Sequence, residues 1–247
     1  MATCSTCSCY KGLGFNIQMA FQPIINTTTQ SIYAHEALVR GLNGEGAGEV
    51  LSRVNSDNIY SFDQTCRMTA IESAAALNMQ EQLSINFMPN AIYEPETCLE
   101  RTLATAKKVN FPHERIIFEV TEHEKIENHS LLVDVFTTYK QHGFLTAIDD
   151  FGEGYAGLNL LADFQPDIIK LDMQLVRDIH EKRITQIILK GILSVAEELG
   201  ITVVAEGIEQ EGEYLYLRDQ GIELMQGYYF ARPQLESLAQ LDKKLFT

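Results

Sequence analysis

Asp149 and Asp150 are adjacent carboxylates that close a β-type run (Phe144 to Ile148), and Lys170 and Asp172 follow at the end of a second such run containing Ile168 and Ile169. Neighbouring carboxylates repel each other and stay ionised at low cost only when a cation lies between them or water surrounds them. At the mouth of a buried strand a divalent metal is the natural partner. Acid-Gly runs also open solvated turns, so this stretch alone leaves both readings standing. Elsewhere Glu36, Asn86, Glu119, Glu206 and Gln226 lie at or near the ends of apolar runs. The combined inventory is rich in carboxylates and contains no histidine or cysteine. All-oxygen ligands suit hard cations, Mg²⁺ or Mn²⁺ rather than a structural Zn²⁺. Five carboxylates (Glu36, Glu119, Asp149, Asp150, Glu206) exceed what one cation takes and suggest two metals sharing a bridging acid. Two metals clamp the attacking and leaving oxygens of an in-line phosphoryl displacement. Lys170 could orient or deprotonate the attacking water, or stabilise charge on the phosphorane. Each residue taken singly also has a structural role open to it: Asn86 satisfying backbone groups, Glu119 pairing with an arginine, Glu206 capping a helix, Lys170 forming a salt bridge. Their recurrence at successive strand ends is what points to one site.

The elements that must position these residues alternate along the chain. Met19 to Asn26 and Ser31 to Gly41 read as strands joined by the turn-prone Asn26-Thr27-Thr28-Thr29, an early antiparallel pair. Helical spacing follows at Glu49 to Val54 and Ile59 to Met79, then a strand at Leu83 to Met88, a helix at Glu96 to Lys108 and a strand at Arg115 to Glu122. Leu131 to His142 reads as a helix stopped by Gly143, and Arg183 to Leu199 as another stopped by Gly200. Thr202 to Ile208 is a strand, Gln210 to Gln220 a helix, Leu224 to Ala231 a last strand, and a terminal helix is expected over roughly Leu235 to Leu245. Strand-helix alternation with near-continuous apolar strands is the pattern of parallel strands covered on both sides. About eight strands in a chain of this length favour an α/β, TIM-like (β/α)8 barrel over an open doubly wound sheet. In a barrel the C-terminal strand ends meet on one face. The sequence carries neither a Gly-x-Gly-x-x-Gly after its first strand nor a GxxxxGK[ST], which removes support for dinucleotide and P-loop readings.

The 247 residues bury a core as one domain, and no Pro-rich, Gly/Ser-rich or low-complexity linker divides them. The organisation expected is a flexible cysteine-containing tail over 1–14 and a single domain over 15–247. A net charge of −15 argues against a basic face for duplex nucleic acid; for a phosphate ester, bound cations would have to supply the positive charge. With no signal-peptide pattern and no membrane-spanning apolar run, the chain reads as cytoplasmic, with no membrane partner. Cys66 and Cys98 lie singly in helical patterns, where inert thiols are the default, and five cysteines argue against a disulfide framework. Cys4, Cys7 and Cys9 form a CxxCxC cluster that could share a soft ion or sense redox state. No fourth ligand lies nearby, so a tail with incidental cysteines is the reading taken.

The segments FQPI, EALVR, INFMPN, FEVTE, DDFGEGY, KLD, AEGIE and QGYYFARP occur in order from Phe21 to Pro233. In this set the sequence resembles the EAL-domain cyclic di-GMP phosphodiesterases, named for the tripeptide found here as Glu36-Ala37-Leu38. The tripeptide alone is a weak signal, whereas the ordered set is highly specific. The resemblance implies a modified TIM barrel with an early antiparallel strand pair, two divalent cations (Mg²⁺ or Mn²⁺), and a homodimer. By motif match, Glu36, Asn86, Glu119 and Asp149 would bind one metal, Asp149 and Asp150 the second, with Glu206 binding it directly or through water. Lys170 would contact the attacking water, Asp172 and Glu209 would support the site, and Gln226 would help hold metal-bound water or its neighbours. Gln22, Leu38 and Arg40 match substrate contacts, Arg40 meeting the phosphate that is not cleaved. Glu122 matches a glutamate that props the loop after Asp150, and Phe151 to Gly157 is similar to the segment that couples the family's dimer interface to metal binding. The implied reaction cleaves one phosphodiester bond of cyclic di-GMP to give linear pGpG, a metal-activated hydroxide attacking phosphorus in line and expelling the 3′-oxygen.

Alternative readings are a catalytically silent cyclic di-GMP receptor or protein-interaction module, and an unrelated two-metal phosphodiesterase or metal-dependent barrel lyase. Glu153 departs from the pattern, because the family usually has a small residue or Thr after DDFG; as a loop glutamate it is expected to face solvent. The sensory domain often attached upstream in the family is not found in these 247 residues, and any regulation is expected to lie in the cysteine tail, in dimerisation or in a separate regulatory protein.

Overall fold

The computed structural model describes residues 13–92, 95–121, 129–153 and 157–246. Two long strands open it, β1 (Ile17–Asn26) and β2 (Ser31–Gly41), paired antiparallel from Ile17 opposite Gly41 to Asn26 opposite Ser31. The Asn26 side chain sets the turn by accepting a hydrogen bond from the Thr29 backbone N–H at 2.8 Å. Then come α1 (Ala47–Leu51), α2 (Ile59–Ala76), β3 (Gln82–Asn86), α3 (Pro95–Lys108), β4 (Ile116–Thr121), α4 (His129–Gln141) and β5 (Leu145–Phe151). The second half holds α5 (Gly157–Asp163), β6 (Ile168–Leu171), α6 (Met173–Val176), α7 (Arg183–Leu199), β7 (Thr202–Ala205), α8 (Glu211–Asp219), β8 (Leu224–Met225) and β9 (Gln234–Leu235).

Strands β2 to β8 pair in sequence order, each parallel to the next, and β1 closes the ring by running antiparallel to both β2 and β8. The fold is an α/β barrel of eight mixed strands with the early antiparallel pair expected from the sequence. β9 pairs with β1 at Ala20 and Phe21, beyond the point where β8 has ended.

One apolar residue from each of seven strands meets in a compact buried cluster: Ile24, Ala34, Ile117, Ala147, Ile168, Val204 and Leu224. Because side chains alternate across a strand, residues two positions further along face the same interior. Those residues are Glu36, Glu119, Asp149, Lys170, Glu206 and Gln226, with Gln22 reached by counting backwards along the reversed β1. The apolar plug is therefore the floor of a polar layer. Dry packing beneath the carboxylates keeps water out from below and leaves the C-terminal mouth as the way in.

Outside the ring, α2 carries a buried ion pair. Arg67 Nε lies 2.8 Å from Asp63 Oδ2, its Nη1 donates to the Tyr139 hydroxyl at 2.7 Å, and the guanidinium stands 4.9 Å from the centre of the Phe118 ring. The other Asp63 oxygen accepts from the Met88 backbone N–H at 3.0 Å, tying the helix to the turn just beyond Asn86.

Two expectations near the C-terminus fail. The last strand stops at Met225, because Ile208 donates its N–H to Gln226 O at 3.1 Å and accepts from Tyr229 N at 3.0 Å, which turns the chain across the loop after β7. The terminal helix does not form over 235–245. β1 captures this stretch instead: Leu235 pairs with Ala20, Glu236 N donates to Met19 O at 3.0 Å, and Glu236 adopts a φ of 44° that no right-handed helix accommodates. Only Lys243–Phe246 makes a 3-10 turn, with Phe246 stacked on Phe230 at a centroid distance of 6.2 Å.

Replacing Arg67 by Ala strands the Asp63 carboxylate in the interior and should cost about 3–5 kcal/mol in urea unfolding. The Asp63→Asn/Arg67→Met pair, which removes both charges, should cost clearly less than Arg67→Ala alone.

Candidate active site

Lys170 organises the polar layer. Its side chain is 1% exposed, and Nζ lies 2.7 Å from Glu206 Oε1, 2.9 Å from Glu119 Oε2, 3.1 Å from Asp149 Oδ1 and 3.5 Å from Glu36 Oε2. Burial opposes the ammonium charge, and Asp149, Glu119, Glu206 and Glu36 overcome that opposition, so the Lys170 pKa stands well above its ordinary value.

The carboxylates are fixed by neighbours on β3 and by Gln226, which follows β8 on the far side of β1 from β2. Glu36 accepts from Asn86 Nδ2 at 3.0 Å and from Gln226 Nε2 at 2.8 Å, and Glu119 accepts from the Ser84 hydroxyl. Glu36 sits mid-strand by the limits of β2, yet β2 leaves its parallel partner β3 just after it, at Ala37, so Glu36 still stands at the barrel's rim.

Asp149 and Asp150 present a geometric problem, since consecutive strand residues face opposite sides. A register shift between β5 and β6 at Ile148/Phe151 solves it, with Asp150 in the left-handed region at φ 54° and its N–H donating to Asp149 Oδ1 at 3.0 Å. Both acids then turn toward the mouth. Glu36, Glu119 and Asp149 offer oxygens within 4.8 Å of one another, as do Asp149, Asp150 and Glu206, and Asp149 belongs to both groups. A third such group, Asp150, Glu153 and Asp172, adjoins them.

Five carboxylates face one ammonium, and the imbalance shows in their acidity. Burial first, then Glu36 and Asp149 acting against the relief from Lys170, push Glu119 up to about 8. Burial and Asp149 raise Asp150 to about 6, and burial and Asp149 raise Glu206 well above the ordinary carboxylate range. An all-oxygen cluster holding more negative charge than its lysine neutralises fits hard divalent cations.

Of the other expected residues, Gln22, Glu36, Glu206, Glu209 and Gln226 line one cavity of about 300 Å³. Leu38 and Asn86 line a second, apolar cavity of about 250 Å³. The Gln22 amide donates to Ala231 O at 3.2 Å, and Arg40 donates to the Val39 carbonyl at 2.7 Å. Asp172 caps α6 by accepting from Gln174 N at 2.8 Å, and Glu209 pairs with Arg177 at 2.7 Å. Glu122, Cys4, Cys7 and Cys9 lie outside the described residues. Cys66 is buried, with burial pushing its thiol pKa up, as an inert thiol should be. Glu153 is exposed but does not merely face solvent: its carboxylate accepts from Gln174 Nε2 at 2.9 Å and lies within reach of Asp150 and Asp172. Sequence reasoning missed Ser84, Gln174 and Arg177. Ser84 was findable, being two residues before Asn86 and so on the same face of β3.

The EAL-domain model matches residues 14–233, almost the whole chain. The chain belongs to the EAL family of cyclic di-GMP phosphodiesterases. A standalone EAL protein from Vibrio cholerae O395, solved in its cyclic di-GMP-bound form, is 52% identical with a TM-score of 0.91, covering 94% of this chain and 98% of that one. BlrP1 of Klebsiella pneumoniae, solved with manganese and cyclic di-GMP, is 35% identical with a TM-score of 0.87, over 92% of this EAL domain and 58% of BlrP1. The blue light- and temperature-regulated antirepressor BluF of Escherichia coli K12 is 32% identical over 241 residues, 96% of this chain and 60% of BluF. This EAL chain thus spans about three-fifths of the longer relatives BluF and BlrP1.

Raised carboxylate pKa values bind protons more tightly in the folded than in the unfolded chain. Metal-free stability from these groups is therefore complete below their ordinary values of 3.8 and 4.5 and is lost as pH rises through about 6 for Asp150 and about 8 for Glu119. Thermal unfolding in chelator should show Tm falling over that range, Glu119→Gln should flatten the fall, and Mn²⁺ should raise Tm more at the alkaline end.

Proposed function

We propose that this chain is a bacterial cytoplasmic phosphodiesterase that hydrolyses cyclic di-GMP to linear pGpG. What carries the reading is the convergence of Glu36, Glu119, Asp149 and Glu206 on the Lys170 ammonium, each within 3.5 Å, at the open end of the barrel. In this reading Glu36, Asn86, Glu119 and Asp149 hold one Mg²⁺ or Mn²⁺, and Asp149, Asp150 and Glu206 hold the other. Bound there, the cations would neutralise the scissile phosphate and acidify the attacking water.

The chain's own groups then do the positioning. Lys170, kept protonated by its four acids, lies beside the attacking water and orients it through its charge, and Asp149 and Glu206 aim its ammonium. Its high pKa favours the orienting role over deprotonation of the water. Gln226 and Asn86 hold the Glu36 carboxylate, while Asp172 and Glu209 support the loops behind Asp150 and Glu206. Gln22, Leu38 and Arg40 contact the dinucleotide, Arg40 at the uncleaved phosphate. Water oxygen bonds to phosphorus, and the 3′-oxygen departs with a proton, leaving a 5′-phosphate on pGpG. The manganese and cyclic di-GMP bound by BlrP1, and the cyclic di-GMP bound by the Vibrio protein, support this assignment. BluF, an antirepressor, motivates the second reading, a cyclic di-GMP receptor that acts through another protein.

Product analysis with cyclic di-GMP separates the two. The enzymatic reading expects pGpG in the presence of Mg²⁺ or Mn²⁺, with Glu36→Ala and Asp149→Asn each lowering turnover at least about 100-fold while circular dichroism is retained. Tight binding with no pGpG on long incubation with either metal would favour the receptor.

The chain is also proposed to form a homodimer through α7. That helix leaves an apolar row in solvent, with Ile184 71% and Ile187 57% exposed and Ile188, Val195 and Leu199 continuing it at helical spacing. Ile187→Glu/Ile188→Glu should convert a dimer into a monomer in light scattering. A wild-type monomer at high protein concentration would refute this assignment.

A further inference from the structure

The loop that carries Asp150 and the loop that carries Glu206 do not touch each other through their acids alone. The short turn α6 lies between them and is bonded to both. On one side, Glu153 N donates to Asp150 O at 3.1 Å, closing a tight turn, and the Glu153 carboxylate accepts from Gln174 Nε2 at 2.9 Å. Asp172 N donates to Phe151 O at 3.2 Å in the same region. Gly152, at φ 101°, presses against α6 so closely that a Cβ there would fall 2.5 Å from Leu175 Cδ1.

On the other side, Glu206 N donates to Leu171 O at 3.2 Å, and Arg177 pairs with Glu209 at 2.7 Å. Gly207, at φ 66°, lies against Met173, where a Cβ would come within 2.4 Å of Met173 Cβ. Asp172, 4% exposed, fixes α6 itself by capping Gln174 N at 2.8 Å.

The geometry points to α6 as a tie between the two carboxylate-bearing loops, with Glu153 and Gln174 as positioning residues that hold Asp150 in place for the second divalent cation. The inference rests on the two-cation reading above and assigns a role to the one residue of DDFGEGY that departs from the family pattern. Glu153 serves the tie as a hydrogen-bond acceptor, so what the tie requires of it is a carbonyl-type oxygen. Neither side chain needs to touch the substrate. The backbone at Asp150 is the part that benefits, since a residue at φ 54° keeps its orientation only where its surroundings enforce it.

Four variants of the full chain test this: Gln174→Ala, Glu153→Ala, the two together, and Glu153→Gln. Without metal, amide hydrogen exchange at 150–153 should accelerate in both alanine variants. Titration with Mn²⁺ alone, followed by calorimetry, should show the weaker of two Mn²⁺ sites loosened about three- to tenfold, with the tighter site unchanged. Glu153→Gln, which keeps an acceptor for Gln174, should exchange at 150–153 as the wild type does, whereas in Mn²⁺ binding its lost charge acts separately, because Glu153 lies among the oxygens of Asp150 and Asp172. The double alanine variant should lose less than the sum of the two single ones, because both remove the Glu153–Gln174 bond. In turnover, the Mn²⁺ requirement should rise while the KM for cyclic di-GMP stays fixed. Unchanged exchange and Mn²⁺ binding in the alanine variants overturn the tie, and so does a Glu153→Gln variant that exchanges at 150–153 as fast as Glu153→Ala. A wild-type chain that binds two Mn²⁺ but makes no pGpG defeats the enzymatic reading and leaves the exchange and binding measurements decisive for the tie.

Discussion

A single buried ammonium lets four carboxylates share the mouth of this barrel. Lys170 reaches Glu36, Glu119, Asp149 and Glu206 at once, and without it four acids from four strands would repel one another in a place where water screens little. The compensation is incomplete. Glu119, Asp150 and Glu206 all hold protons more firmly than ordinary carboxyls, which is the mark of a site built for more positive charge than the protein itself supplies.

Such a cluster needs a frame that delivers one side chain per strand to the same height. The apolar cluster of Ile24, Ala34, Ile117, Ala147, Ile168, Val204 and Leu224 fixes that height, and the alternation of strand side chains does the rest. Two irregularities refine it. Reversal of β1 sets Gln22 opposite Glu36, adding an amide to a ring that would otherwise receive another helix-capped strand end. The slip between β5 and β6 lets two consecutive acids serve one mouth, at the expense of a left-handed Asp150. Both irregularities fall at the level of the polar layer, where each adds a polar side chain.

Much of this was legible in the sequence wherever a local pattern had a long-range guarantee. Arg183 to Leu199 was readable to the residue, because strong periodicity and a left-handed Gly200 mark both its face and its end. The early hairpin was readable, and so was the convergence of Glu36, Glu119, Asp149 and Glu206 on one face, because each acid lies in phase with an apolar residue two positions before it. Leu235 to Leu245 misled, having helical spacing but lying where β1 offers an open edge, and tertiary pairing won. Ser84 was hidden by its small size, though its phase with Asn86 gave it away. The direction of Glu153 was not encoded nearby at all: its partner Gln174 is 21 residues away and becomes a neighbour only when β6 aligns with β5. Segments FEVTE and EALVR announce which residues matter, but the sharing of one lysine among four of them is a property of the closed ring.

The strained chemistry of the polar layer bears on how such a barrel would change over evolutionary time. In most proteins, losing a buried functional residue threatens the fold, so damaged catalysts are removed along with damaged structures. Here the metal-free acids work against folding, and neutralising Glu119 or Asp150 relieves repulsion while the apolar floor beneath stays whole. Asparagine at position 150 would tolerate the same left-handed backbone. In the enzymatic reading, the path from catalyst to silent binder therefore runs downhill in metal-free stability, and selection for turnover would have to hold the chain against it.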